Sequence, residues 1–210
     1  MQNQDKVSSH SRKRRVIQIG HICEIMIGAT LLAEIVQLLS TVVFTADEDF
    51  YLDAIYQWDT FAYLFSSGLF PFLHVGLIVW TFLLFRFYRR EGESKLHPVI
   101  AALLMIPGIN LIGYAIVFRS IGKRNRYQGR KMILTESSKI RPLLFFLYAF
   151  YLPSLFFLDM FTFEEIYNPN LLIYYFLFRM GYYFTLLTFI LINHRIIEVL
   201  PEVGIDYVLN

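Results

Sequence analysis

Five apolar stretches, each about as long as a bilayer is thick, decide what this chain can fold into. They run from Val16 to about Phe44, from about Phe61 to Phe87, from Pro98 to Phe118, from about Pro142 to Leu158 and from Leu171 to Asn193. A membrane-spanning helix needs about 20 mostly apolar residues, with a range of roughly 17–25. The first two stretches exceed that, so tilt or a protruding turn is expected. Composition agrees: 56% of the 210 residues are hydrophobic and 17% are charged, against about 45–50% and about 25% in soluble domains. High apolar content with a net charge of only +2 excludes a disordered chain. A single cysteine, Cys23, excludes a disulfide-stapled domain. The run Arg12-Lys13-Arg14-Arg15 before the first stretch imitates a secretion signal, but that stretch is too long and carries Glu24 and Glu34. It reads as a retained signal anchor, and neither end of the sequence carries a lipidation motif.

Charge placement orients the stretches, because Lys and Arg concentrate on cytoplasmic loops. The first connection holds Asp47, Glu48, Asp49, Asp53 and Asp59 and no cation. The turn after the fourth stretch holds Asp159, Glu164 and Glu165, again without a cation. The basic residues lie before the first stretch, after the second and after the third, and Arg195 follows the fifth. Five simple crossings would put the basic segment Arg119–Arg141 outside and the acidic turn inside.

The third stretch resolves the conflict. It is interrupted by Pro107-Gly108-Ile109-Asn110. Proline removes a backbone donor and clashes within a helix, and glycine frees the backbone. A half-helix, a turn and a second half-helix would return the chain to the side it left. Non-helical backbone at that depth needs surrounding protein or water. The expected fold is an all-α integral membrane bundle of four transmembrane helices plus a re-entrant helical hairpin; the alternative is five spans, the third kinked. The expected organisation is a basic cytoplasmic N-terminus over residues 1–15 and a membrane bundle over 16–193. The bundle includes the re-entrant segment 98–118 and a basic cytoplasmic loop over 119–141, and a cytoplasmic tail follows over 194–210. Every Lys and Arg except Arg179 then lies on or at the cytoplasmic side.

The exit Trp80-Thr81-Phe82-Leu83-Leu84-Phe85-Arg86-Phe87-Tyr88-Arg89-Arg90, a short link, and an apolar stretch containing Ile106-Pro107-Gly108-Ile109-Asn110-Leu111 before two more spans resemble the uncharacterised bacterial membrane family catalogued as domain of unknown function four-three-two-eight. The resemblance covers about the second half of the chain. It implies a multi-span topology and no activity; a bacterial-type plasma membrane is expected, and charge placement puts both termini on its cytoplasmic side.

Ionisable residues within spans are functional candidates, because each costs about 2.5–3.5 kcal/mol on insertion scales. Glu34 lies about 15 Å below the outer end of the first span and Arg179 about 12 Å below that of the last, at 1.5 Å per residue. Thr30, Glu34, Gln37 and Thr41 share one helix face, as do Tyr175, Arg179, Tyr182 and Tyr183. The two stripes are expected to meet, as a structural ion pair or as part of a polar path that also involves Asn110. Asn110 is expected either to cap the returning half-helix or to coordinate a solute. His21 and Glu24, one turn apart, could with His74 hold a metal or relay protons; the bland reading is polar residues satisfied within the bundle. Gly20 and Gly28 hint only weakly at close helix approach, since the position midway is Glu24. Arg12, Lys13, Arg14, Arg15, Lys123, Arg124 and Arg126 are expected to meet anionic lipid headgroups, or simply to mark the cytoplasmic side. Tyr51, Tyr56, Trp58 and Tyr63 read as an interfacial belt.

The sequence carries no zinc-protease, nucleophile-elbow, Walker A or Cys-x-x-Cys pattern, and no cofactor is expected. The leading reading is a non-enzymatic membrane scaffold, sensor or accessory subunit, working with membrane lipids and with a second copy or a membrane protein partner. A small channel or transporter with a polar path near Glu34, Arg179 and Asn110 is the alternative. An intramembrane enzyme is third. Nucleic-acid binding is not expected, as no recognition fold is present.

Overall fold

The computed structural model describes residues 2–90, 94–124, 138–163 and 169–199, the side chains of 2–10, Arg90, 122–124, 159–163 and Val199 excepted. The described residues are helical or in short connections, with no strand among them. In chain order the elements are α1 (Gln2–Ala46), α2 (Glu48–Phe50), a π-helical turn (Tyr51–Ile55), α3 (Tyr56–Arg90), α4 (Pro98–Leu103), α5 (Asn110–Arg124), α6 (Ile140–Phe163) and α7 (Pro169–Val199). Four segments are long and apolar enough to cross a membrane: Ser11–Ala46, Glu48–Arg89, Ile140–Leu158 and Pro169–Glu198.

All four long helices outrun their apolar stretches. Helix α1 begins within the basic run, so Arg12 to Arg15 are helical. Helix α7 continues past Asn193 to Val199 and buries His194, Ile196 and Ile197. The acidic connection is almost wholly helical as well. Asp47 alone is extended (φ −154°), and its carboxylate accepts a hydrogen bond from the Phe50 amide at 3.0 Å. That is N-capping, and Glu48 and Asp49 in the following turn suit the positive end of a helix dipole. The acids of the connection therefore start the next helix rather than fill a loop. The residues of the second acidic turn and most of the basic loop 119–141 lie outside the described residues, as does the chain beyond Val199.

The third stretch is two helices. His97 caps α4 by accepting from the Val99 amide at 3.3 Å, with Pro98 in the first helical position. At 6 and 15 residues, α4 and α5 are about 9 and 22 Å long, and neither alone spans about 30 Å of hydrocarbon. The turn between them holds Gly108 at φ +89°, a conformation that excludes most side chains. A Cβ at Gly113 would overlap the Leu104 carbonyl oxygen, so the first turn of α5 lies directly on the end of α4.

The chain divides into two compact units. The first comprises Met1–Cys23, His74–Pro142 and Phe189–Asn210. Its core is aromatic: Trp80, Phe85, Tyr88, Tyr114, Phe118 and Phe189 are buried. Phe118 stacks on Phe189 with centroids 3.7 Å apart, and Trp80 meets the same ring edge-on at 6.0 Å. The Tyr88 hydroxyl donates to Asn193 Oδ1 at 3.1 Å, and Asn193 Nδ2 donates to the Phe189 carbonyl.

The second unit comprises Glu24–Leu73 and Leu143–Thr188, and its interior mixes polar groups with apolar side chains such as Ile27, Leu147, Tyr182, Tyr183 and Leu186. Thr30, Glu34, Gln37, Ser40, Thr41, Ser66, Ser154 and Thr185 are buried there, while Leu32, Leu39, Phe61, Leu64, Phe72, Phe145, Phe156 and Phe184 are exposed. This inverts the pattern of a soluble protein and is what a lipid solvent selects, since small and hydroxyl-bearing residues pack helices closely. The hydroxyls are satisfied locally. Thr30, Thr41, Thr45 and Thr185 each donate to the carbonyl four residues back.

Candidate functional site

Along α1, the buried positions Ile27, Thr30, Glu34, Gln37 and Thr41 alternate by three and four residues, the seam spacing of left-handed helix packing. Four of the five are polar, so in the second unit this helix faces protein with its hydrophilic side. Gln37 spans to α3, donating from Nε2 to Ser66 Oγ at 3.2 Å, and Ser66 donates on to the Tyr63 carbonyl.

Glu34 is fully buried. Arg179 of α7 places Nε 3.2 Å from Glu34 Oε1, with the arginine side chain 20% exposed. The contact has the distance of an ion pair without the direction of a hydrogen bond, and neither Glu34 oxygen receives a hydrogen bond among the described residues. The guanidinium instead donates to Tyr175, a short bond, and to Tyr183 at 3.5 Å. Both tyrosines are four residues away on the same helix, and their rings flank the cation at 5.4 and 5.8 Å. The arginine is thus held by its own helix and aimed at the acid. Such a cluster can close a bundle, or it can hold an anionic group against the part of Arg179 that remains open. Tyr182 of the same helix stacks on Tyr151 of α6 at 4.9 Å.

Asn110 is the first residue of α5 and is buried, and its Nδ2 donates to the Tyr114 hydroxyl one turn on. It belongs to the first unit and Glu34 and Arg179 to the second.

His21 is exposed, Glu24 half-buried and His74 buried. The aromatic partner of His21 is His194, edge-on at 4.9 Å, and the ring nitrogens of the two histidines come within 4.8 Å. His194 lies against the bare backbone of Gly20, where a Cβ would overlap its Nε2 and lie 2.9 Å from Trp80 Nε1. Two imidazoles are donors of the type that zinc or another transition metal accepts. His194 carries no signal in the sequence: it stands 174 positions from Gly20, and no spacing rule joins them. Only matched depth could have found it, since both lie at the basic ends of their helices.

The basic run divides by role. Lys13 Nζ donates to the Glu198 carbonyl at 3.0 Å, in the last turn of α7, where helix carbonyls lack partners. Arg14 is exposed. Arg12 and Arg15 line a cavity with Arg86 of α3. The side chains of Lys123 and Arg124 and the whole of Arg126 lie outside the described residues. Tyr56, Trp58 and Tyr63 are 52%, 67% and 60% exposed, positions from which aromatic rings can meet lipid.

Among known proteins, no family model, no curated sequence and no solved structure matches this chain.

Proposed function

We propose that this protein is a non-enzymatic integral membrane scaffold or accessory subunit that uses the open side of Arg179 to engage a membrane protein partner or a second copy. The observation that carries the reading is the fifth of the Arg179 side chain left exposed within an apolar helix. Glu34 and two tyrosines already occupy its inner side. A charge at that depth is costly unless protein or water meets it, and a protein partner meets it without opening the bundle. A photo-crosslinking residue at Leu172, two turns away on the same face of α7, tests this in native membranes. A discrete protein adduct is expected. Adducts with lipid alone would reject the reading.

A second reading is a small channel or transporter. What favours it is Glu34, whose oxygens receive no hydrogen bond among the described residues, on a polar stripe that continues through Gln37 and Thr41. It predicts ion or solute flux in proteoliposomes that Glu34→Gln abolishes. The scaffold reading predicts no flux.

The proposed topology has four spans, with 98–118 re-entering from the cytoplasmic side and both termini cytoplasmic. The break between α4 and α5 and the contact of Gly113 with Leu104 support the hairpin. The charge separation supports the orientation. The resemblance to the bacterial family of unknown function agrees with this order of parts, and the plasma membrane of a bacterial cell is the proposed location.

A further inference from the structure

The first unit contains two neighbouring cavities that share one arginine. One, of about 260 Å³, is lined by Ser11, Arg12, Arg15 and Val16 of α1 and by Leu83, Arg86 and Phe87 of α3. The other, of about 450 Å³, is lined by Phe82, Arg86 and Arg89 of α3 and by His97, Pro98 and Val99 at the start of α4. Four arginines therefore border the pair, joined by a hydroxyl and an imidazole, and among the described residues no acidic one lines either cavity. We propose that these cavities form a binding site for a phosphate-bearing anion, with Arg86 as its shared centre.

Three observations favour a built site over cations that merely mark one side of the membrane. The cations come from separate elements, α1 and α3, onto common cavities, rather than spreading around the helix ends. The run Arg12 to Arg15 is sorted: Lys13 caps α7, Arg14 is exposed, and Arg12 and Arg15 line the cavity. The cavity walls are apolar beside the charges, with Val16 and Phe87 buried and Val99 exposed. The planar guanidinium forks of arginine match phosphate oxygens two at a time. Apolar walls beside the cations suit a phosphate that carries acyl chains. A phospholipid headgroup and a soluble phosphate ester share this recognition chemistry. The site is independent of the partner reading for Arg179, which lies in the other unit.

Native mass spectrometry of the full chain, delipidated and then exchanged into mixed micelles, tests the proposal. The probes are phosphatidylglycerol, phosphatidylcholine and soluble glycerol phosphate. Retention of phosphatidylglycerol over phosphatidylcholine is expected. Arg86→Gln should weaken it roughly fivefold, the equivalent of one cation near an anionic surface. Arg12→Gln with Arg15→Gln should weaken it further. Arg14→Gln should leave it unchanged, and Arg86→Lys should retain part of it. If glycerol phosphate binds as tightly as the lipid and shows the same dependence on Arg86, the phosphate site stands and its ligand is soluble. Arg86 and Arg89 are exposed, so Arg89→Gln serves as a second reporter should Arg86→Gln lower expression. Equal retention of both lipids with no binding of glycerol phosphate would overturn the proposal. So would an Arg14→Gln loss equal to that of Arg86→Gln.

Discussion

Replacing Glu34 and Arg179 by leucine, singly and together, measures what the buried ion pair contributes. At 3.2 Å and an effective dielectric constant of about 20, the attraction is about 5 kcal/mol. Desolvating two ions costs several kcal/mol each, so the intact pair adds little net stability. Removing one partner is different. Breaking a buried pair costs about 3–5 kcal/mol because the other charge stays behind. For Glu34→Leu the lower end applies, since Tyr175 and Tyr183 still hold the guanidinium and part of it is exposed. For Arg179→Leu the loss should be smaller, about 2 kcal/mol, because a stranded carboxylate can take up a proton and a guanidinium cannot give one up.

At about 2–4 °C per kcal/mol for a chain of this size, Glu34→Leu should lower the melting temperature by about 6–12 °C and Arg179→Leu by about 4–8 °C. The double mutant should melt above Glu34→Leu, since it buries apolar groups where a lone charge stood. The assay is the fraction that stays monodisperse in detergent after heating. A double mutant whose loss equals the sum of the single losses would refute the pairing argument.

Two glycine pairs give sharper outcomes. Gly20→Ala meets His194 and the Trp80 indole nitrogen, whereas Gly28→Ala meets nothing within 4 Å, so thermal melting should fall for the first and hold or rise for the second. Gly113→Ala drives a methyl into the Leu104 carbonyl, and Gly108→Ala meets open space but a φ of +89°. The strain at Gly108 is about 1–2 kcal/mol, so the melting loss should be larger at Gly113 than at Gly108. For topology, cysteines at Lys139 and Asp49 in a Cys23→Ala background should react with an impermeant reagent only from the cytoplasmic and outer sides respectively; outside labelling at Lys139 would favour a fifth span.

The parts legible in the sequence are those governed by rules local to one helix. Apolar run length marks the four helices long and apolar enough to cross a membrane, and Pro107-Gly108 marks the break at a point where the backbone does turn. The stripe Thr30, Glu34, Gln37, Thr41 follows from helical period alone, and the match between Glu34 and Arg179 needs only a depth estimate for two helices. What stayed hidden depends on contacts between distant positions or on polar helix ends. Hydropathy ends α1 at Val16 and α7 at Asn193, because Arg12 and Arg195 are charged. Helices continue through such residues wherever one face is still covered, as the burial of Ile196 and Ile197 shows. Lys13 as a cap for α7 and His194 on Gly20 belong to the same class.

The two units solve the membrane problem by different means, and this bears on where function can sit. In the aromatic unit, rings pack around Phe189, and a side-chain bond from Tyr88 to Asn193 ties α3 to α7. Its charged residues are free to gather at the helix ends, where the arginine cavities form. In the polar unit, α6 and α7 pack through rings such as Tyr151 on Tyr182 and Phe157 on Phe178, while α1 contributes hydroxyls bonded within their own helix and the links Gln37 to Ser66 and Glu34 to Arg179. Hydroxyls bonded to their own helix contribute little between helices. Those two links join α1 to α3 and to α7, and a partner bound at Arg179 would act on one of them. Engagement there would be coupled to helix packing through Glu34, whereas none of the residues in these links is among those lining the cavities around Arg86. Mutations at Arg86 should accordingly alter lipid retention without shifting the crosslink at Leu172, and mutations at Glu34 should do the reverse.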